Sequence, residues 1–188
     1  MEAILKKELV INKNFCRTTA VIISVLLISL GAFMRIPLPF TPVPITMQTF
    51  FVLFCAAMLG ARLGTLVQVI YVILGISGFS LFTGAGSSSL YLFGPTGGYL
   101  AGFIFSAIFI AKAVKFCKNN PFLLFAVFSV ASFMILGFGT LWLKILLGVS
   151  VKKALFLGFA PFVAGDLCKA WAASYLYSKT GSRIKEII

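Results

Sequence analysis

Long uncharged runs, separated by short basic clusters, set the pattern of this chain. Thr18 to Met34 is uncharged and bracketed by Arg17 and Arg35; Thr46 to Ala61 is apolar and stops at Arg62. From Leu63 to Ala111 no charge occurs. That stretch is more than twice the roughly 20 residues needed to cross a bilayer once. A Gly/Ser cluster interrupts its middle, so it predicts two spans, about 63–76 and 97–113, joined by a connector over 77–96. Asn119 to Leu143 predicts a fifth span. The segment from Ala154 to Ser178 is broken at Gly158 and Pro161, which predicts a short interfacial helix and then a sixth span. Pro37, Pro39, Pro42 and Pro44 exclude a helix interior between the first two spans.

The expected architecture is therefore an all-α integral membrane protein with six transmembrane helices. A segment of 1–17 precedes the membrane domain of 18–178, and a tail of 179–188 follows it. Five spans is the alternative count. Composition agrees with the membrane reading, since 61% of the 188 residues are hydrophobic and only 11% charged. A soluble domain of this size cannot enclose so much apolar surface. A secretory signal is a poor description of the first span, because the basic lead is long and prolines follow instead of a small-residue cleavage pattern.

Charge adds an orientation. The net charge is +12, yet the basic residues are not a nucleic-acid footprint, because all of the 16 but Lys169 fall in short clusters between or beside the apolar runs. With both termini cytoplasmic, the inner side collects Lys6, Lys7, Lys13, Arg17, Arg62, Lys112, Lys115, Lys118, Lys179, Arg183 and Lys185. The outer side takes Arg35, Lys144, Lys152 and Lys153. Eleven against four follows the positive-inside rule, with the lysines between spans five and six as the counter-signal.

Histidine is absent, which excludes a His general base, a Ser-His-Asp triad and a His-ligated metal. Cys16, Cys55, Cys117 and Cys168 are too far apart for a C-x-x-C redox or zinc motif. No cofactor is expected. Asp166 and Lys169 are the charges inside a hydrophobic span, and each costs about 2.5–3.5 kcal/mol at the centre of a lipid-facing helix. Three residues apart, they share one helix face. They either neutralise each other within the bundle or line a cavity for a polar ligand. As a site they suit a small molecule with an acid at one end and an amide-like head at the other. A helix starting near Pro161 puts the pair about two turns in, towards the outer leaflet.

Two further features carry candidate functions. The connector from Gly78 to Pro95 is uncharged but rich in glycine and hydroxyls, so it is either a plain flexible turn or a loop that closes over a ligand. In the first span Cys16, Ala20 and Ser24 recur every four residues, a small-residue stripe open to packing within the bundle or to a separate membrane subunit. The chain holds no ATP-binding element, so any energy source is a partner or a gradient.

Several blocks resemble one family. They are Val43-Pro44-Ile45-Thr46-Met47-Gln48-Thr49, Leu59-Gly60-Ala61-Arg62-Leu63-Gly64, Tyr71-Val72-Ile73-Leu74-Gly75, Gly94-Pro95-Thr96-Gly97-Gly98-Tyr99-Leu100 and Gly165-Asp166-Leu167-Cys168-Lys169. Their order from about residue 18 to 178 is similar to that of BioY, the biotin-specific substrate-binding (S) components of energy-coupling factor (ECF) transporters. The resemblance implies a six-helix S-component fold in the plasma membrane that captures biotin outside. A transmembrane coupling subunit and two ATPase subunits would be its partners, and no catalysis of its own is expected.

The resemblance also implies roles. Asp166 would bind the ureido N–H groups and Lys169 the valerate carboxylate, with the loop after Phe82, including Gly84, covering the ligand. Thr83, Ser87, Gln48, Tyr91 and Tyr99 would add polar or stacking contacts, and the stripe of Cys16, Ala20 and Ser24 would meet the coupling subunit. The chain departs from the family pattern at Ser80, at Ser87-Ser88-Ser89 and at Ala164. A carrier for another small carboxylate or vitamin, and a membrane enzyme with Asp166 as general base, are the rival readings.

Overall fold

A computed structural model describes residues 13–83, 89–118 and 120–187. Helix α1 (Lys13–Phe33) leads into a two-stranded antiparallel ribbon, β1 (Arg35–Ile36) and β2 (Ile45–Thr46), with Arg35 opposite Thr46. The four prolines fall between these strands or at their edge, where a missing N–H costs no ladder bond. Then come α2 (Gln48–Ile76), the single turn α3 (Ser89–Leu92), α4 (Gly97–Ala113), α5 (Pro121–Leu147), α6 (Val151–Gly158) and α7 (Val163–Ile187). A 3-10 turn, Val114–Phe116, extends α4, and another, Ala160–Phe162, joins α6 to α7.

Five of these helical stretches are long and apolar enough to cross a membrane: Lys13–Phe33, Gln48–Ile76, Gly97–Phe116, Pro121–Leu147 and Val151–Gly181. The second of them is not straight. Gly60 has φ 77° and ψ −178°, a conformation open to glycine and strained for other residues. There the chain doubles back, so that Tyr71 Oη lies 2.7 Å from Gln48 Nε2. In one straight helix those positions would stand about 34 Å apart. A Cβ on Gly64 would come within 2.9 Å of Ala56 Cα, so the halves 48–59 and 61–76 pack backbone to backbone. The expected boundary between spans two and three thus falls at Gly60, just before Arg62.

Other boundaries shift for local reasons. Helix α1 already includes Lys13, more than a turn before the expected start at Thr18. The α5 N-terminus is fixed by Asn120, whose side-chain oxygen accepts from Phe122 N at 3.0 Å and Leu123 N at 3.3 Å, with Pro121 at the first helical position. At its other end α5 runs past Lys144 and stops at Gly148, whose φ of 62° closes the helix. One lysine does not end a helix whose apolar pattern resumes at Ile145. The expected tail from residue 179 is instead helical through Ile187, as a continuation of α7.

The core is formed where α2, α4, α5 and α7 meet, with Leu53, Tyr71, Ile110, Phe128 and Ile135 almost wholly buried. Small residues bring α4 and α5 together: a Cβ on Gly102 would reach 2.9 Å from Ile135 Cα. The outside is also apolar. Leu26, Leu30, Ile73, Phe105, Phe122, Ile145 and Trp171 are exposed, far more apolar surface than water tolerates and what a bilayer covers. Thr180 on α7 touches Met58 Sδ at 4.0 Å, so the late part of α7 lies at the same end of the bundle as the Gly60 turn.

Candidate ligand-binding site

Helix α7 presents Asp166 and Lys169 one turn apart, and burial rather than lipid exposure answers their cost: they are 2% and 9% exposed. Lys169 Nζ donates to Asp166 Oδ1 at 2.7 Å, and Ser132 Oγ on α5 donates to Asp166 Oδ2 at 3.1 Å. Both carboxylate oxygens are therefore engaged. An ammonium has three N–H donors, so Lys169 retains capacity for an acceptor beyond Asp166.

The pair lines a cavity of only about 40 Å³, far below the about 300–1,000 Å³ usual for small-molecule sites. Side chains must therefore give way when a ligand enters. Thr46, Gln48 and Thr49 line one side, Tyr99, Leu100 and Phe103 another, and Ile135, Leu136 and Phe162 a third, with Tyr71, Phe82, Thr83 and Tyr91 completing the wall. Aromatic and aliphatic side chains make up more of the lining than polar ones, which are Thr46, Gln48, Thr49, Thr83, Thr96, Asp166 and Lys169.

The start of the connector is held over this cavity by a relay of hydrogen bonds. Thr83 Oγ1 donates to Gln48 Oε1 at 3.0 Å, Gln48 Nε2 donates to Tyr71 Oη at 2.7 Å, and Tyr71 Oη donates to Leu81 O at 2.8 Å. Tyr91 Oη donates to Thr83 O at 3.1 Å. Phe82 sits at the centre, stacked on Tyr91 with centroids 4.8 Å apart and edge-on to Tyr71 at 5.6 Å. Its ring occupies the space that a Cβ on Gly75 would need. The segment thus packs as a wedge and is more than a loose turn.

Six of the expected residues, Asp166, Lys169, Thr83, Gln48, Tyr91 and Tyr99, meet at this cavity. Gly84 and Ser87 lie outside the described residues. Tyr99 offers mainly its ring, since its hydroxyl donates to Gly158 O at 2.7 Å. Tyr71, Phe82 and Phe162 also line the cavity and Ser132 reaches it through Asp166, although none of the four was expected as a ligand contact. Ser132 left a faint signal, a hydroxyl three residues after Ser129 in an otherwise apolar run. In the stripe on α1, Ser24 is buried and back-bonded to Ala20 O at 2.7 Å, while Cys16 and Ala20 are half-buried. Among the described residues no cluster of His, Cys, Asp and Glu is fit to hold a metal ion.

A model of the BioY family matches residues 7–186. The chain belongs to the BioY family. Among curated BioY proteins it is 38% identical to the biotin transporter BioY of Thermotoga maritima over 151 residues, covering 80% of this chain and 86% of that one. It is 37% identical to the biotin transporter BioY2 of Lactococcus lactis over 152 residues, 78% and 84% of the two chains. The fold is that of the S-component for biotin from an ECF-type ABC transporter, whose crystal structure superposes with a TM-score of 0.84 at 22% identity, covering 91% of this chain and 93% of that one. BioY membership fits a membrane protein, and so, independently, do the five long apolar helices and the exposed apolar surface.

Proposed function

We propose that this chain takes up biotin as the membrane-embedded S component of an ECF transporter, and that its cavity is the biotin site. The observation that carries this reading is the buried Asp166–Lys169 pair at the cavity wall, in a chain whose relatives are named biotin transporters. Biotin is bipolar in the required sense. Its ureido head offers N–H donors to the Asp166 carboxylate, and its valerate carboxylate takes the Lys169 ammonium. In the free protein the two side chains satisfy each other, so the site carries no unpaired buried charge. A ligand supplying both an anion and N–H donors can open the pair and leave each partner satisfied; one supplying only half leaves a charge stranded, at about 3–5 kcal/mol.

The remaining parts follow from the fold. Counting 48–59 and 61–76 separately makes six crossings. The Gly60 turn then lies with Arg62 at the cytoplasmic side, both chain ends point inward, and the cavity opens towards the outer leaflet. The wedge of Phe82 forms part of the cover. Gln48, Thr83 and Tyr91 set its closed position, and the Tyr99 ring packs beside the ligand. Cys16 and Ala20, half-buried on α1, mark the side that approaches the coupling subunit, with Ser24 packed beneath them in the bundle, and two ATPase partners supply the energy in the plasma membrane. The chain performs transport without catalytic residues.

The test is equilibrium binding of labelled biotin to the purified protein in detergent, with Asp166→Asn and Lys169→Ala alongside. Saturable binding lost in both variants is the expected result. A folded parent protein that binds no biotin would overturn the ligand, and a panel of other small carboxylates and vitamins would then identify it.

A further inference from the structure

On the bundle's outer surface, away from the ligand cavity, α1 and residues 61–76 of α2 diverge and leave a groove of about 470 Å³. Val21, Ile22 and Leu26 form one wall and Leu66, Ile70 and Leu74 the other. The polar lining residues are Arg17 and Thr18, and both lie at the end next to Leu63 and the Gly60 turn. The groove is therefore amphipathic lengthwise, apolar along its run and cationic at one mouth.

Its dimensions fit one leaflet. From Leu63 to Leu74 the α2 wall rises about 16 Å, close to half of the roughly 30 Å hydrocarbon core. An occupant must then have an anionic head at the Arg17 level and an apolar body about one leaflet long. We infer that the groove is a binding site for an anionic phospholipid, with an acyl chain between α1 and α2 and the phosphate at Arg17. A guanidinium has five N–H donors, enough to take a phosphate oxygen beside its other partners. The leaflet is the one facing the Gly60 turn, where Arg62 and Lys13 raise the local positive charge. The inference needs only a membrane-embedded chain and stands apart from the identity of the transported solute.

The experiment places an indole at the groove rim by Ile22→Trp, a position already half exposed. The protein is reconstituted in bilayers of defined mixtures, and the extra fluorescence quenching over the parent chain is read with brominated phosphatidylglycerol and with brominated phosphatidylcholine. One basic residue near the membrane surface is worth about a fivefold preference for the anionic lipid. That preference is expected with Ile22→Trp and should fall to near unity when Arg17→Gln is added. Equal quenching by the two lipids overturns the inference, as does a preference that survives Arg17→Gln. Absence of quenching by either lipid also overturns it and makes the groove a protein contact. Should Ile22→Trp disturb the fold, native mass spectrometry of the otherwise unaltered chain decides. It should retain one phosphatidylglycerol that Arg17→Gln loses, and equal retention by both refutes the site.

Discussion

Replacing Lys169 by methionine keeps the length of the side chain and removes its charge, which isolates the ammonium's part in recognition. In the free protein that ammonium is 2.7 Å from Asp166 Oδ1, and both side chains are shielded from water. A ligand carboxylate arriving there makes a charge-assisted contact worth about 1.5–3 kcal/mol, or roughly 10- to 150-fold in Kd. Biotin amide has no carboxylate and gains little of this. The parent protein should therefore bind the acid more tightly than the amide, and Lys169→Met should remove most of that preference. Any general damage to the pocket weakens both ligands alike, so the ratio of the two dissociation constants is the informative quantity. Competition of each ligand against labelled biotin in detergent supplies it. If Lys169→Met weakens acid and amide by the same factor, the carboxylate does not sit at Lys169 and the proposed ligand orientation is wrong.

The remaining predictions probe the support around the pair. Asp166→Asn and Lys169→Met should each lower the thermal midpoint in detergent by stranding the other charge, at about 3–5 kcal/mol, whereas the double variant should recover most of the loss because a neutral buried pair is close to break-even. Ser132→Ala removes the hydrogen bond to Asp166 Oδ2; it should weaken biotin about fivefold, the equivalent of about 1 kcal/mol, by competition binding. Gly75→Ala would put a methyl group into the Phe82 ring, so it should dislodge the wedge and speed biotin release in a chase experiment while Asp166 and Lys169 stay in place.

Which parts of this molecule were legible in the sequence follows from what each depends on. Asp166 and Lys169 stood out because a bilayer makes isolated charges expensive, and that cost is independent of the rest of the fold. The break between spans two and three was marked by Arg62 at the edge of an apolar run; the reversal itself falls two residues earlier, at Gly60, whose backbone conformation an uncharged run does not reveal. The relay from Thr83 through Gln48 and Tyr71 to Leu81 was not legible as a relay. It joins residues far apart in sequence, and only the antiparallel packing of 48–59 on 61–76 sets them side by side. Ser132 shows the same limit. A serine in an apolar helix commonly bonds its own backbone, as Ser24 and Ser29 do here, and only the approach of α7 turns Ser132 to Asp166 instead.

If the cavity is the biotin site proposed above, the free-state ion pair lets the protein keep two buried charges and gives it a basis for selectivity. A lone lysine in the cavity would attract any anion, and a lone aspartate any cation or N–H donor. Held 2.7 Å apart, they cancel each other and bind neither class well. In the proposed site, opening the pair would cost several kcal/mol that only a ligand addressing both ends returns, so discrimination would arise from the failure of half-matching solutes as much as from attraction of the right one. The narrow free space between the aromatic walls adds a steric condition to this electrostatic one. A short fatty acid meets Lys169 yet leaves Asp166 unpaired, and a cyclic urea without an acid does the reverse. Each should therefore compete with biotin far more weakly than the sum of its individual contacts suggests. Tight binding of either fragment alone would show that the pair is a structural bridge and that recognition lies elsewhere in the cavity.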